Sequence, residues 1–204
     1  MPTGRRSFLD EKLWPRLRQA QRLRRVVCFV DAAHFVHRAF LGYLWCFVRL
    51  WVRGPSGRKR FHVLGAIDAV THELTTVVND TAIDAIAVCE LLRKLADRYA
   101  GLPVTLVLDN ARYQHNAAVK ALASQLGITL LFLPAYSPNL NLIERLWKFT
   151  KRRALYGRYH PKFADFQAAI QEILDGIPTT YAEQLETLMT LNFQQFEDIS
   201  LMAA

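Results

Sequence analysis

A change of hydrophobic period near residue 80 constrains this chain more than any other feature. Before it, apolar and β-branched runs recur at residues 26–30, about 42–52, 61–67 and 74–78. Turn signals separate them, clearest at Gly54-Pro55-Ser56-Gly57 and again over Asp68 to His72. That pattern predicts three antiparallel strands with the 26–30 strand beside them. After it, Ile83, Ile86, Ala87, Leu91, Leu95 and Tyr99 repeat at helical spacing behind Thr81-Ala82-Ile83-Asp84, which resembles a capping box. Gly101 and Pro103 end that helix. Then come an apolar run at 104–108, a helix around 115–126 closed by Gly127, a second run at 128–133, and a helix carrying Glu144. Amphipathic helices follow at 163–175 and 179–190. Uninterrupted apolar runs alternating with helices indicate parallel strands covered on both faces. The expected sheet is therefore mixed, an antiparallel meander joined to helix-connected parallel strands.

Three carboxylates stand out against this frame. Asp31 closes the run Val26 to Val30, Asp109 closes the run Val104 to Leu108, and Glu144 lies in the opening turns of its helix. An acid at the end of a buried strand is costly unless something offsets its desolvation. A divalent cation does so, and three hard oxygen ligands suit Mg²⁺ or Mn²⁺. If strands 26–30 and 104–108 are neighbours, their carboxyl ends meet at a topological switch point, where crevices form in open α/β sheets. Asp31 and Asp109 would then lie side by side.

Charge adds a partner class. Among 204 residues, 26 Lys and Arg against 18 Asp and Glu leave a net charge of +8, which favours a polyanion. Cys28, Cys46 and Cys89 lie in apolar stretches without CxxC spacing, so they are read as reduced core residues of an intracellular protein rather than a zinc site. No apolar run reaches the roughly 18–20 residues that span a membrane. Residues 1–25 carry Arg5, Arg6, Arg16, Arg18, Arg22, Arg24 and Arg25 among few apolar anchors. They are expected to form a basic arm, helical over 7–24 and kinked at Pro15, either solvated or in contact with phosphates. A domain over 26–178 and a helical tail over 179–204 complete the expected organisation.

Three ordered segments carry a family resemblance. They are Phe29-Val30-Asp31-Ala32-Ala33-His34-Phe35, Leu108-Asp109-Asn110-Ala111-Arg112-Tyr113, and Leu133-Pro134-Ala135-Tyr136-Ser137-Pro138-Asn139-Leu140-Asn141-Leu142-Ile143-Glu144. Over roughly residues 26–175 the chain resembles the catalytic domain of DDE transposases, nearest the insertion sequence 630 group, relatives of the mariner elements. Glu144 follows Asp109 by 35 residues, the spacing used in that family. The resemblance implies an α/β ribonuclease H-like fold, with a mixed five-stranded sheet flanked by helices. It implies metal-dependent DNA cleavage and strand transfer, with Asp31, Asp109 and Glu144 holding two Mg²⁺ or Mn²⁺ ions. It also implies element terminal inverted repeats and target DNA as partners, assembly as a homodimer or larger synaptic complex, and a cytoplasmic, nucleoid-associated bacterial location. Members of the family carry a helix-turn-helix module before the catalytic domain. Only about 25 residues precede the first catalytic strand here, so that module is expected to be a separate or frameshift-joined product, or the chain a truncated copy.

Other side chains near the motifs have a functional and a plainer reading. Lys148, Lys151 and Arg152 follow Glu144 on its own helix face and suit a DNA backbone, or form a solvated face. Arg58, Lys59 and Arg60, after the Gly54 turn, and Arg112 in the second motif are further DNA-contact candidates. His34, Asn110 and His115 are candidates for supporting the carboxylates, or are satisfied structural residues. Ser137 and Pro138 have N-cap and first-turn chemistry, and are expected to open the helix that bears Glu144. Two readings compete with a transposase: a ribonuclease H-like nuclease without strand transfer, and a non-catalytic DNA-binding remnant of a mobile element.

Overall fold

The computed structural model describes residues 3–38, 58–79, 81–135 and 137–193. The strand expected at about 42–52, the Gly54 to Gly57 turn and Cys46 lie outside the described residues.

Five strands form one sheet: β1 (Val26–Val36), β2 (Arg60–Asp68), β3 (Leu74–Asn79), β4 (Val104–Leu108) and β5 (Ile128–Phe132), in the order β3-β2-β1-β4-β5. β1, β2 and β3 pair antiparallel, while β4 joins β1 and β5 joins β4 in parallel. The mixed sheet is thus as expected, but β1 is longer. It runs five residues past Asp31, and β2 accompanies it to Val36↔Arg60. β4 pairs with β1 only from Val26↔Val104 to Phe29↔Val107. Asp31 is therefore a mid-strand residue with Gly65 of β2 on one side and no β4 partner on the other. Between β2 and β3 the turn closes on Asp68, whose Oδ1 accepts the amides of Val70 (2.7 Å) and Thr71 (3.0 Å). A carboxylate that mimics a turn hydrogen bond in this way fixes a tight reversal.

Strand alternation sends side chains to two layers. On one face Cys28, Val30, Leu64, Ala66, Leu106 and Leu108 pack with α3 (Ala85–Arg98) and α4 (Ala117–Gln125). Asp84 caps α3 by accepting the Ile86 and Ala87 amides, both at 3.0 Å, so the cap is Asp84 rather than Thr81. Ile86 is 76% exposed; the buried stripe is Ala87, Val88, Leu91, Leu92 and Leu95. Asn116 caps α4, whose amide at Ala118 it accepts at 2.9 Å.

On the other face Phe29, Ala33, Phe35, Val63, Ile67 and Val107 pack with α5 (Ile143–Ala154), α6 (Phe163–Asp175) and α7 (Ala182–Leu188). The N-terminal segment joins this layer. It forms α1 (Thr3–Ser7), a π-helical stretch Phe8–Leu13 and α2 (Trp14–Gln21). Phe8, Leu9, Leu13, Leu17 and Ala20 are buried there, while Arg5, Arg6, Arg18, Arg22 and Arg24 are exposed. The arginine-rich segment is thus an amphipathic helix seated on the sheet. The Trp14 amide bonds to the Leu9 carbonyl, a five-residue step, directly before Pro15, which has no amide to give. Trp14 also meets Phe193 edge to face at 5.7 Å, which brings the two ends of the described chain together.

Candidate active site

The site grows from strand register. β1 and β4 pair through Phe29↔Val107, so two residues further on Asp31 and Asp109 leave adjacent strands on the same face. That face is the one covered by α5, and α5 brings Glu144 within its first turn. The three acids are close enough to act on one another. Asp31 is pushed up to about 7, by burial first and then by the negative charges of Asp109 and Glu144. A carboxylate raised in this way is a site that lacks positive charge.

Named partners hold each element in place. The Trp147 indole donates its Nε1–H to Asp31 Oδ2 at 3.0 Å, and the ring is buried. Gly65 makes room for that ring: a Cβ there would lie 2.7 Å from Trp147 Cη2. A side chain at the position opposite Asp31 would displace the indole that orients it. Gln114, fully buried, donates Nε2–H to Asp109 Oδ1 at 2.7 Å and accepts the Ala111 amide on Oε1 at 3.1 Å. Tyr113 lies against the same acids. Its hydroxyl is pushed well above the usual phenol range, by burial first and then by Asp109 and Asp31. Asn141 donates from Nδ2 to the Val30 carbonyl at 3.2 Å, tying the approach to α5 onto β1 beside Asp31. Its Oδ1 is buried without a partner among the described residues. Such an atom is costly and marks a place where the packing is not purely apolar.

The start of α5 differs from the sequence expectation. Ser137 and Pro138 open a 3-10 turn, Pro138–Leu140, and the α-helix begins only at Ile143. Ser137 Oγ bonds back to the Ala135 carbonyl at 3.3 Å and caps nothing in α5. Glu144 is consequently a first-turn residue, where a carboxylate also complements the helix dipole.

The supporting candidates are placed as follows. Asn110 adopts φ +74°, a left-handed conformation that Asn tolerates, and its amide donates to the Leu133 carbonyl. It therefore locks the loop after Asp109 onto the loop after β5, and does not bond the carboxylate. His34 pairs through Nδ1 with Nδ1 of His62, its register partner, on the α3 side of β1. His115 stacks on Phe132 at 4.2 Å. Neither histidine meets an acid of the trio. Of the cations, Lys148 and Arg112 are exposed, and Lys151 holds its Nζ 5.9 Å from the Phe35 ring. Arg152 is exposed near the far end of α5. Arg58, Lys59 and Arg60 lead into β2, with Lys59 Nζ 5.5 Å from the Phe163 ring. Arg60, where β2 begins, stands five residues from Gly65, roughly 17 Å along the strand, and Arg58 and Lys59 lie further still. Sequence reading missed Gly65, Gln114, Asn141 and Trp147 as residues that support the acids. An indole three residues after Glu144 on the buried side was the one available signal.

As donors the trio supplies only carboxylate oxygens, the set that a hard divalent cation takes. Asp31 and Asp109 are each held by a neutral N–H donor, from Trp147 and Gln114. Among the described residues no three acidic, histidine or cysteine side chains close around a single point as a one-ion cage would.

Comparison with known proteins identifies the fold and the family. The Mos1 transposase paired-end complex with left transposon end has a TM-score of 0.63 at 16% identity, over 96% of this chain and 63% of that one. The Mos1 transposase catalytic domain, in a structure with raltegravir and Mg, has a TM-score of 0.57 at 17% identity, over 95% of this chain and 96% of that one. The fold is therefore ribonuclease H-like, and this chain spans less than two thirds (63%) of the longer Mos1 chain. No curated protein matches the sequence. Among the described residues no helix is long and apolar enough to cross a membrane. The DDE superfamily endonuclease family matches residues 25–167, which contain all three acids, and the chain belongs to that family.

Proposed function

We propose that this chain is the catalytic part of a transposase of the insertion sequence 630 group, cleaving DNA and joining strands at Asp31, Asp109 and Glu144. The observation that carries the reading is the convergence of these acids, from β1, the end of β4 and the first turn of α5, with Asp31 raised to about 7 by burial and by the other two. The raised carboxylate calls for cationic compensation. Asp31, Asp109 and Glu144 would hold Mg²⁺ or Mn²⁺, two ions in the arrangement that an in-line displacement uses. When bound, such ions polarise a phosphodiester and stabilise the entering and leaving oxygens of an in-line displacement.

The chain's own residues do the positioning. Trp147 holds Asp31 in one rotamer, and Gln114 does the same for Asp109. Asn141 holds the lead-in to α5 against β1, and so sets how far Glu144 stands from Asp31. Preorganised ligands of this kind avoid reorganisation during the reaction. Lys148, Lys151, Arg152 and Arg112, with Arg58, Lys59 and Arg60 further along β2, would supply positive charge for DNA phosphates. The expected partners are terminal inverted repeats and target DNA, brought together by two or more protomers. A separately encoded helix-turn-helix module would choose the ends, in the bacterial cytoplasm at the nucleoid.

The test is a joining assay. A labelled duplex with a recessed 3′-hydroxyl is incubated with supercoiled plasmid and Mn²⁺, with the recognition module supplied in trans. Joined product that disappears in Glu144→Gln is expected. Cleavage without joining would make the protein a ribonuclease H-like nuclease. Neither reaction, from folded protein that binds DNA, would leave the non-catalytic remnant.

A further inference from the structure

A recess lies further along α5, beyond Glu144 and Lys148. Phe149, Arg152, Arg153, Tyr156 and Arg158 line its open volume of about 520 Å³. Its wall is built rather than incidental. The Arg153 guanidinium lies 5.4 Å from the Phe149 ring and 5.8 Å from the Tyr181 ring, and donates to Gln184 Oε1. Phe149 and Tyr181 meet edge to face at 5.3 Å, which makes that wall rigid. The opposite side comes from the chain reversal after α5. Gly157 adopts φ +69°, and the Arg158 amide bonds to the Leu155 carbonyl at 3.1 Å, a reversal after which Arg158 lines the recess together with Arg152. Arg152, Tyr156 and Arg158 are exposed, and among the described residues no carboxylate forms an ion pair with Arg152, Arg153 or Arg158.

Basic residues in a last helical turn complement the helix dipole, which explains Arg152 and Arg153 in part. It does not explain Arg158, which lies beyond the helix, nor the half-exposed Tyr156 among the cations. Guanidiniums grip phosphate, and an exposed aromatic face accepts an unpaired base. Arg152 lies eight residues beyond Glu144, about 12 Å along the helix, within reach of a strand that leaves the carboxylates.

We propose that this recess is a nucleotide subsite, in which Arg152 and Arg158 take a backbone phosphate and Tyr156 stacks on the adjoining unpaired base of a DNA strand. The proposal rests on the reading of the chain as a DNA-cleaving enzyme and adds a grip remote from the reacting phosphate.

The test is fluorescence anisotropy with a labelled oligothymidylate of about 12 nucleotides, titrated over a range of salt concentrations. Arg152→Ala with Arg158→Ala should flatten the plot of log affinity against log salt by about 0.7, the share of one phosphate on a single strand. Tyr156→Ala should weaken binding by about tenfold and leave that slope unchanged. Arg93→Ala with Lys94→Ala, exposed on α3 across the sheet, should change neither. A wild-type slope in the double arginine variant, or wild-type affinity in Tyr156→Ala, overturns the subsite. Mn²⁺-dependent plasmid nicking separates the two readings. If nicking is intact while the recess variants bind like wild type, the subsite alone falls. If Asp109→Asn nicks like wild type while the recess variants behave as expected, the carboxylate reading alone falls.

Discussion

The two faces of the sheet are built from the same strands and serve different ends. Towards α3 and α4, Cys28, Val30, Leu64, Leu106 and Leu108 meet Leu91, Leu92 and Leu95 in a continuous apolar layer. Towards α5, the same strands place Phe29, Ala33 and Val107 in an apolar layer that Asp31 interrupts. Only that second layer needs a glycine, Gly65, to admit an indole that bonds the acid. Both faces bury oxygens that lack a partner among the described residues, Thr75 and Tyr99 towards α3 and Asn141 towards α5, but only the α5 face buries a carboxylate that two further acids push up.

Substitutions should separate the faces, and the largest effect belongs to the acids. Asp31→Asn and Glu144→Gln should each lower Mn²⁺-dependent nicking by about 10³-fold, or about 4 kcal/mol of transition-state stabilisation, with no loss of thermal stability. Leu91→Ala, on the other face, should cost about 2–5 kcal/mol in urea unfolding through cavity formation. It should leave Mn²⁺ affinity by titration calorimetry unchanged; a weakened affinity would mean that the faces are not independent. Gly65→Ala joins the two effects. Overpacking against Trp147 should cost about 1–3 kcal/mol and also weaken Mn²⁺ binding, since the ring that orients Asp31 must move. Asp84→Ala should cost about 1 kcal/mol by removing the α3 cap, with activity intact.

The smallest effect is one of pH. The His34 imidazole is held below its ordinary value, by burial first and then by His62, Arg60 and Lys151. Its neutral form is therefore favoured in the folded state. Its contribution to stability is present above the unfolded value of about 6.5 and is lost as pH falls through the lowered folded value. Asp31, raised to about 7, acts in the opposite sense and gains stability as pH falls below that value. In an Asp31→Asn background, therefore, melting temperature should fall on going from pH 7.5 to pH 5, and His34→Gln should reduce that fall slightly. An unchanged fall in the variant would assign the acid sensitivity elsewhere.

Much of this was legible in the chain. The runs 26–30 and 104–108 and the change of period near residue 80 predict the mixed sheet, and the helix expected over 163–175 is α6. The carboxylates were visible because an acid after an apolar run is conspicuous. What supports them was not. Gln114 and Asn141 are ordinary polar residues until the fold buries them beside Asp109 and Val30. Gly65 means nothing until register sets it opposite Asp31. The extension of β1 to Val36 was hidden because Asp31 itself breaks the apolar run. The N-terminal arginines obscured a helix whose Phe8, Leu9, Leu13 and Leu17 pack through a π-helical turn, a spacing that a regular helical period does not match.

The most direct test of the central claim is supercoiled-plasmid nicking with Mn²⁺, comparing wild type with Asp109→Asn. Asp109 is exposed at the end of β4, so the substitution leaves the core intact and matched melting curves can confirm it. Metal-dependent nicking by wild type that is lost in the variant is the predicted result. Equal nicking by both proteins would contradict the assignment of the carboxylates as the reactive centre.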